Sequence, residues 1–135
     1  MTRAVLVNDG QVNYVQNISV GHHLFQADEP VDAGGVDGGP NPYELLLAAL
    51  GACTGITVRM YAQRKQWPLE SVQVRLTYVM DAIEEEVSVV GDLSEDQRRR
   101  LLEIAGKCPV HRTLTSSIQI RTRPAAQSSD ALAWE

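Results

Sequence analysis

The chain contains only two cysteines, Cys53 and Cys108, and each is tied to a predicted helix. Cys53 lies inside an apolar stretch that follows a Gly/Pro-rich loop. Cys108 comes after a second amphipathic segment, at the start of a Cys-Pro-Val-His-Arg run. Two thiols can act in sequence, because one can be oxidised and the other can then form a disulfide with it. Two cysteines in 135 residues favour such paired chemistry over a scaffold of disulfide bridges.

Cys53 also has a simpler interpretation, whereas Cys108 has a sharper functional signal. Cys53 could be a small buried hydrophobe, since free cysteine is among the most buried residue types. Pro109 suits the first position of a helix and would place Cys108 at the N-cap. Unpaired backbone N–H groups there would stabilise a thiolate and lower the pKa of Cys108. The two cysteines are far apart in the sequence, so only the tertiary structure can bring them together.

The predicted order of elements is βββ-α-ββ-α-β, which indicates an α+β domain rather than a doubly wound sheet. The opening strands are predicted at 4–7, 12–20 and 22–28, a second hairpin at 72–80 and 87–90, and a last strand at 118–123. We assign residues 1–123 to a single domain and 124–135 to a disordered tail.

Capping signals mark where both helices begin. Asn41 and Glu44 form an Asn-x-x-Glu capping box before the first helix, and Ser94 opens the second helix with Gln97 in the same way. Within the first helix, Gly51 and Gly55 lie four residues apart on one face. Two such small residues predict that a partner helix crosses there at close range.

Composition and charge limit the classes of function. The formal net charge is −5, and the only dense basic run, residues 98–100, has acidic neighbours, which argues against a nucleic-acid partner. The longest apolar stretch, 45–52, is far shorter than the ~18 residues of a membrane span, and we expect no signal peptide. We therefore expect a cytoplasmic protein without a membrane partner, in a compartment that keeps thiols reduced.

The pattern Gly-Pro-Asn-Pro-x-Glu-Leu-Leu-x-Ala-Ala-x-x-Ala-Cys ending at Cys53, with Cys-Pro-x-His at Cys108, closely resembles the OsmC/Ohr family. The resemblance extends to about residue 123. It implies an intertwined α+β homodimer, with two long central helices packed against antiparallel sheets and a thiol peroxidase site at the dimer interface. By motif match, Cys53 would attack an organic hydroperoxide and become a sulfenic acid. Cys108 would resolve it to a disulfide, which a dithiol then reduces.

Two positions depart from the family pattern. Peroxidatic members carry an arginine in the N-terminal strands, whereas this chain has Arg3 and then no arginine until Arg59. The family's glutamate lies ten residues before the cysteine, where this chain has Tyr43, and Glu44 is one residue later. Nine residues of helix turn through about 900° and rise ~13 Å, so Glu44 and Cys53 are expected on opposite faces. Glu44 could act only from a partner chain or across a helix break, and capping the helix is its alternative role.

Other polar residues could complete the site. Arg112, four residues after Cys108, is the candidate for the missing positive charge, since a cation favours a nearby thiolate. The Cys108-x-x-His111 spacing is half of a zinc site, and only His22 and His23 could complete it. We expect neither a metal nor a cofactor.

The sequence therefore predicts a homodimeric thiol peroxidase that reduces hydroperoxides through Cys53 and Cys108, with a small-molecule hydroperoxide and a dithiol reductant as its partners. The alternative is a non-peroxidatic dimer of the same fold that binds a small apolar or thiol-reactive molecule in the interface pocket. The missing arginine is the feature that separates the two.

Overall fold

The computed structural model describes residues 2–126, so most of the predicted tail at 124–135 lies outside the described residues. The strands are β1 (Leu6–Asp9), β2 (Gln16–Val20), β3 (His23–Ala27), β4 (Leu69–Val79) and β5 (Ala82–Gly91). The helices are α1 (Pro42–Lys65), α2 (Glu95–Ala105) and α3 (Pro109–Leu114), and a short 3-10 turn spans Val31–Ala33. Antiparallel sheets combined with three helices confirm the predicted α+β class.

The strands form two separate antiparallel sheets. β1, β2 and β3 pair in that order, and β4 pairs with β5 in a long hairpin. α1 lies across β4, α2 packs against both α1 and β5, and α3 packs against α1. The second sheet and the helices therefore form one packed body, and this body positions both cysteines.

The hydrophobic core lies between α1, α2 and the β4–β5 hairpin. Its buried members are Val58, Ala62, Leu69, Leu93, Leu101 and Ala105. On α1 the buried residues recur every fourth position, at Leu50, Thr54, Val58 and Ala62, because residues four apart share a helix face. Fully burying one valine or leucine side chain stabilises the fold by about 1.5–3 kcal/mol. This stripe fixes how α1 is rotated, and with it the direction in which Cys53 points.

Both predicted capping boxes are confirmed. The Glu44 N–H donates to Asn41 Oδ1 at 2.9 Å, and the Asn41 N–H donates to Glu44 Oε1 at 2.8 Å. Ser94 and Gln97 make the equivalent reciprocal pair at the start of α2. Each box gives a hydrogen-bond acceptor to two backbone N–H groups that a helix start otherwise leaves unpaired.

The helix crossing predicted at Gly51 and Gly55 is wrong, because the neighbour there is a strand. A Cβ atom on Gly51 would lie 2.7 Å from Leu76 Cδ1, and one on Gly55 would lie 3.9 Å from Val72 Cγ1. Leu76 and Val72 both belong to β4. The two glycines thus allow α1 to approach its own sheet closely.

The last strand predicted at 118–123 does not form, because this segment has no strand assignment and pairs with neither sheet. Ile118 is 56% and Ile120 is 88% exposed. A β-strand needs a neighbouring strand to satisfy its backbone N–H and C=O groups, and within residues 2–126 this segment has none. The apolar, β-branched composition of the segment predicts a strand, but residues 2–126 supply no strand to pair with it.

α1 has the length and composition of a membrane span, with a mean hydropathy of 1.5 over 18 residues, of which 22% are buried. The central helix of a soluble protein can have the same properties. An apolar stripe on α1 stays exposed: Ala48, Ala52, Ile56 and Met60. These positions lie two residues from the buried stripe, which is about 200° around the helix. One side of α1 therefore faces the core and the opposite side is uncovered.

Candidate functional site

The structure brings Cys53 and Cys108 into contact, although they come from different helices. Cys53 lies in the middle of α1 and is half-buried, whereas Cys108 is fully buried at the start of α3. The two side chains are close enough for Cys53 to raise the pKa of Cys108, and neither thiol is in a disulfide. The packing of α3 against α1 creates this pair.

Cys108 is the N-cap of α3, as the sequence predicts, but its pKa moves in the opposite direction. Burial of the thiol is the largest effect and raises the pKa of Cys108, and the hydrogen bond with Cys53 raises it further. The backbone N–H groups of His111, 3.3 Å from Sγ, and of Val110 lower it by less. The predicted lowering is therefore wrong, because loss of solvation outweighs the N-cap.

The two thiols also affect each other's ionisation. A charge on Cys53 raises the pKa of Cys108, because two negative charges side by side repel each other. Cys108 therefore holds its proton more firmly than an ordinary thiol while it lies beside Cys53.

A cavity of about 610 Å³ borders the thiol pair. Neither sulfur is on its wall. Leu50, one turn before Cys53, lines it from α1, and His111, one turn after Cys108, lines it from α3. Most of the remaining wall is aliphatic. The volume lies within the roughly 300–1,000 Å³ of small-molecule sites, so a small apolar molecule could sit beside the thiols.

The sequence reasoning missed Glu85, a half-buried carboxylate on β5 that also lines this cavity. The fully buried Thr54 hydroxyl donates to Glu85 Oε1 at 2.9 Å. Thr54 follows Cys53 directly in α1, so this hydrogen bond connects Glu85 to the residue next to the candidate nucleophile. The alternation of Glu85 with Ile83 and Val87 was the one signal in the sequence, and the neighbouring Glu84 and Glu86 obscured it.

Comparison with known proteins decides the family. A family model described as OsmC-like protein matches residues 34–123. The chain belongs to the OsmC family. This match includes the whole of α1 with Cys53, and the Cys-Pro-x-His motif at Cys108.

Solved structures share the fold of this OsmC family protein at low sequence identity. An OsmC-like protein from Mycoplasma pneumoniae has a TM-score of 0.73 at 17% identity, covering 84% of this chain and 87% of that one. An organic hydroperoxide resistance protein OsmC from Legionella pneumophila has a TM-score of 0.58 at 22% identity, covering 85% and 90%. A protein from Vibrio cholerae, solved with captopril in one of its active sites, has a TM-score of 0.64 at 18% identity, covering 85% of each chain. No curated protein matches this chain.

Within this OsmC family chain, Glu44 is not brought to the cysteines. It is exposed at the first turn of α1, where its carboxylate accepts the Asn41 N–H. Cys53 lies more than two turns further along the same helix. The capping role of Glu44 is therefore formed in the single chain, and any catalytic role would require a second copy.

Of the arginines near the motif, Arg59 has other hydrogen-bond partners and Arg112 is exposed. Arg59 donates to the carbonyl oxygens of Leu69 at 2.7 Å and Glu70 at 3.0 Å, which ties α1 to the start of β4. Arg112 is exposed on α3. Among the described residues, the groups that shift the pKa of Cys108 include no cation. The proposed electrostatic role of Arg112 thus has no support from this thiol.

The histidines do not form a metal centre in the part of the chain that the structure describes. His22 and His23 lie next to each other at the β2–β3 turn, with ring centroids 4.1 Å apart. His111 contributes its backbone N–H to Cys108 and its side chain to the cavity wall. No group of three histidine, cysteine or acidic side chains is arranged to hold a metal ion among residues 2–126.

A second buried carboxylate, Asp28, organises the loop that leads to α1. It accepts the N–H groups of Glu29 at 2.7 Å, Val36 at 3.0 Å and Gly38 at 3.0 Å. The hydrogen bond from Gly38 is the largest effect, and together these bonds lower the pKa of Asp28 although burial opposes them. Sequence reasoning identified the glycines of this loop but not the carboxylate around which they fold.

This geometry predicts a pH-dependent stability for the loop. The folded pKa of Asp28 lies below the ordinary aspartate value of 3.8, so its stabilising effect is present above pH 3.8 and is lost as the pH falls through the folded value. Asp28→Asn should lower the urea midpoint at pH 7, and the difference from wild type should shrink below pH 3.8. The exposed Asp37→Asn, in the same loop, serves as the control and should show no such trend. An Asp28→Asn deficit that stayed constant with pH would contradict this interpretation.

Proposed function

We propose that this OsmC family protein reduces organic hydroperoxides through Cys53 and Cys108. The proximity of two free thiols, one half-buried and one fully buried, carries the proposal. Cys53 is accessible enough to meet a peroxide oxygen, whereas Cys108 is shielded until Cys53 has reacted. Cys53 is therefore the peroxidatic residue and Cys108 the resolving residue.

The reaction balances in two steps. The Cys53 thiolate attacks the terminal oxygen of the hydroperoxide, the O–O bond breaks, and the leaving alkoxide takes a proton to become an alcohol. Cys53 is then a sulfenic acid. The Cys108 sulfur attacks the Cys53 sulfur, and a disulfide and water form. An external dithiol returns both thiols to the reduced state by exchange.

The electrostatics of the pair couple these two steps. A charge on Cys53 raises the pKa of Cys108, which keeps the resolving thiol protonated before peroxide arrives. A sulfenic acid on Cys53 removes that negative charge. The Cys108 thiol then loses its proton more readily, and it becomes the nucleophile that the second step requires.

The family and its fold support a redox or peroxide-related role. The structural neighbour from Legionella pneumophila is named for organic hydroperoxide resistance. The identities of these neighbours are at or below 22%, so the likeness by itself extends only to the fold. The proposal that this chain reduces hydroperoxides therefore rests on the Cys53 and Cys108 thiols.

The surface of the chain supports a homodimer. The accessible area is 10458 Å², against about 7,000 Å² for a compact monomer of 14.8 kDa. The ten residues outside the described range could account for about 1,600 Å² of the excess if fully unfolded. The remaining excess of accessible area is larger than the ~800 Å² that each partner buries in an interface of standard size. The uncovered apolar stripe on α1 (Ala48, Ala52, Ile56 and Met60) is the surface on which a second copy would pack.

One observation favours a second function, the binding of a small apolar or thiol-reactive molecule without turnover. No arginine or lysine lines the cavity beside the thiols among the described residues. A peroxidase needs a stabilised thiolate, whereas a binding protein does not. The Vibrio cholerae neighbour was solved with captopril in one of its active sites, which supports this second function.

Consumption of cumene hydroperoxide separates the two functions. We expect the reduced wild-type protein to consume the peroxide catalytically when dithiothreitol is supplied, at a rate proportional to protein concentration. The control is the same assay with protein whose thiols have been alkylated beforehand. Consumption no faster than in this control would reject the peroxidase and leave the binding function.

A further inference from the structure

The cavity beside the thiols combines an apolar wall with charge of one sign. Its aliphatic lining comes from α1, β5, α2 and α3, and its acidic residues are Asp81 and Glu85. Among the residues that the structure describes, no lysine or arginine lines it. Clefts with low-dielectric walls concentrate the field of the charges that line them. The lining therefore disfavours a negatively charged guest.

Glu85 occupies a position where a hydrophobic residue is expected. The inward positions of β5 alternate with exposed ones, and they are Ile83, Glu85, Val87 and Val89. Glu85 is thus the only acidic residue on the inner face of this strand. A carboxylate in such a position costs free energy unless hydrogen bonds compensate it. Packing alone does not account for a glutamate here.

Within residues 2–126, only one oxygen of this carboxylate accepts a hydrogen bond. Oε1 accepts the Thr54 hydroxyl at 2.9 Å, which fixes the side chain against α1. Oε2 accepts no hydrogen bond from residues 2–126 and is accessible to solvent, since none of these residues has a buried polar side-chain atom without a partner, and Glu85 lines the cavity. A held carboxylate with one free oxygen in a mostly apolar cavity is suited to receive a donor group from a ligand.

We propose that this cavity binds small apolar molecules that carry a protonated amine, with Glu85 as the residue that receives the amine. Molecules of the same shape that carry a carboxylate bind more weakly. A primary ammonium group offers three N–H donors and a positive charge, which match the free oxygen of Glu85. The inference deepens the proposed function, because it assigns the charge of the molecules admitted to the cavity one helical turn from Cys53, and it rests on that function for their chemistry.

Binding of a matched series tests the charge selection. The probes are octylammonium, octanol and octanoate, which share one hydrocarbon chain, and the protein is the Cys53→Ser/Cys108→Ser double variant. We expect calorimetry at pH 7 to give octylammonium a dissociation constant at least ~10-fold below that of octanoate, with octanol between them. Equal affinities, tighter binding of octanoate, or no binding of any probe because a second copy fills the cavity would each overturn the proposal.

Glu85→Gln tests which residue carries the selection. Glutamine keeps the shape and an oxygen that can accept the Thr54 hydroxyl, but it removes the charge. The preference for octylammonium over octanoate should disappear in Glu85→Gln and persist in Glu84→Gln, whose side chain is exposed on the opposite face of β5. An unchanged preference in Glu85→Gln would overturn the assignment. If Glu85→Gln does not fold, the probe series on the double variant with Glu85 intact still decides the charge selection.

Because the double variant has no thiol, these results are independent of peroxide chemistry. Wild-type turnover without charge selection would reject this inference alone. Charge selection without turnover would reject the proposed peroxidase alone.

Discussion

Cys53→Ser is expected to reduce the kcat/KM for cumene hydroperoxide by about 10³-fold or more, because a serine hydroxyl at this site has no base to activate it. The fold should be retained, since serine is close to cysteine in size and Cys53 is only half-buried. The measurement is peroxide consumption with dithiothreitol, with the thermal midpoint as the check on folding. Turnover that survived in Cys53→Ser would remove Cys53 from the peroxidatic role.

Cys108→Ser is the matched control, because it removes the other thiol of the same pair. The first half-reaction should survive, so one equivalent of peroxide should convert Cys53 to a sulfenic acid that dimedone traps. Steady-state turnover should fall, because no resolving thiol remains in the chain. If Cys108→Ser lost the first half-reaction and Cys53→Ser kept it, the two roles would have to be exchanged.

Ile56→Asp is expected to convert the proposed dimer to a monomer. Ile56 is 59% exposed in the single chain and lies in the middle of the apolar stripe on α1. A second copy packed on this stripe would bury the new carboxylate without a partner, which costs several kcal/mol. Light scattering should give twice 14.8 kDa for wild type and 14.8 kDa for the variant.

Ser88→Asp is the control for this substitution, because it adds the same charge at an exposed position on β5. It should remain dimeric. A wild-type protein that is monomeric at micromolar concentration would contradict the dimer. A dimer that Ile56→Asp leaves intact would show that the stripe is not the contact surface.

The sequence was sufficient where local interactions decide the structure. The Asn41–Glu44 and Ser94–Gln97 boxes involve residues three apart, so their geometry follows from the helix itself. The position of Cys108 at an N-cap followed from Pro109 in the same way. The family motifs added the expectation that the two cysteines act together, and the structure places them in contact.

The sequence was insufficient where a residue's neighbours come from distant parts of the chain. Gly51 and Gly55 indicated a close approach, but nothing local distinguishes a helix from the Leu76 and Val72 side chains of a strand. The N-cap effect on Cys108 was local, whereas the burial that outweighs it depends on the whole fold.

Glu85 and Asp28 were missed for a related reason. A glutamate within the Glu84–Glu86 run and an aspartate beside a glycine-rich loop both resemble solvated surface residues in sequence. Their importance comes from partners on other elements: Thr54 for Glu85, and the loop N–H groups for Asp28. The unpaired segment at 118–123 shows the same limit, because its composition predicts a strand but not the location of the strand's partner.

The central claim is that Cys53 and Cys108 of one chain form a redox pair. Its most direct test is the mass of the reduced protein after one equivalent of cumene hydroperoxide, followed by peptide mapping without reductant. The account predicts a loss of about 2 Da and a single Cys53–Cys108 crosslink within one chain, because disulfide formation removes two hydrogens. A gain of about 16 or 32 Da on Cys53 without a crosslink, or a disulfide that joins two chains, would contradict it.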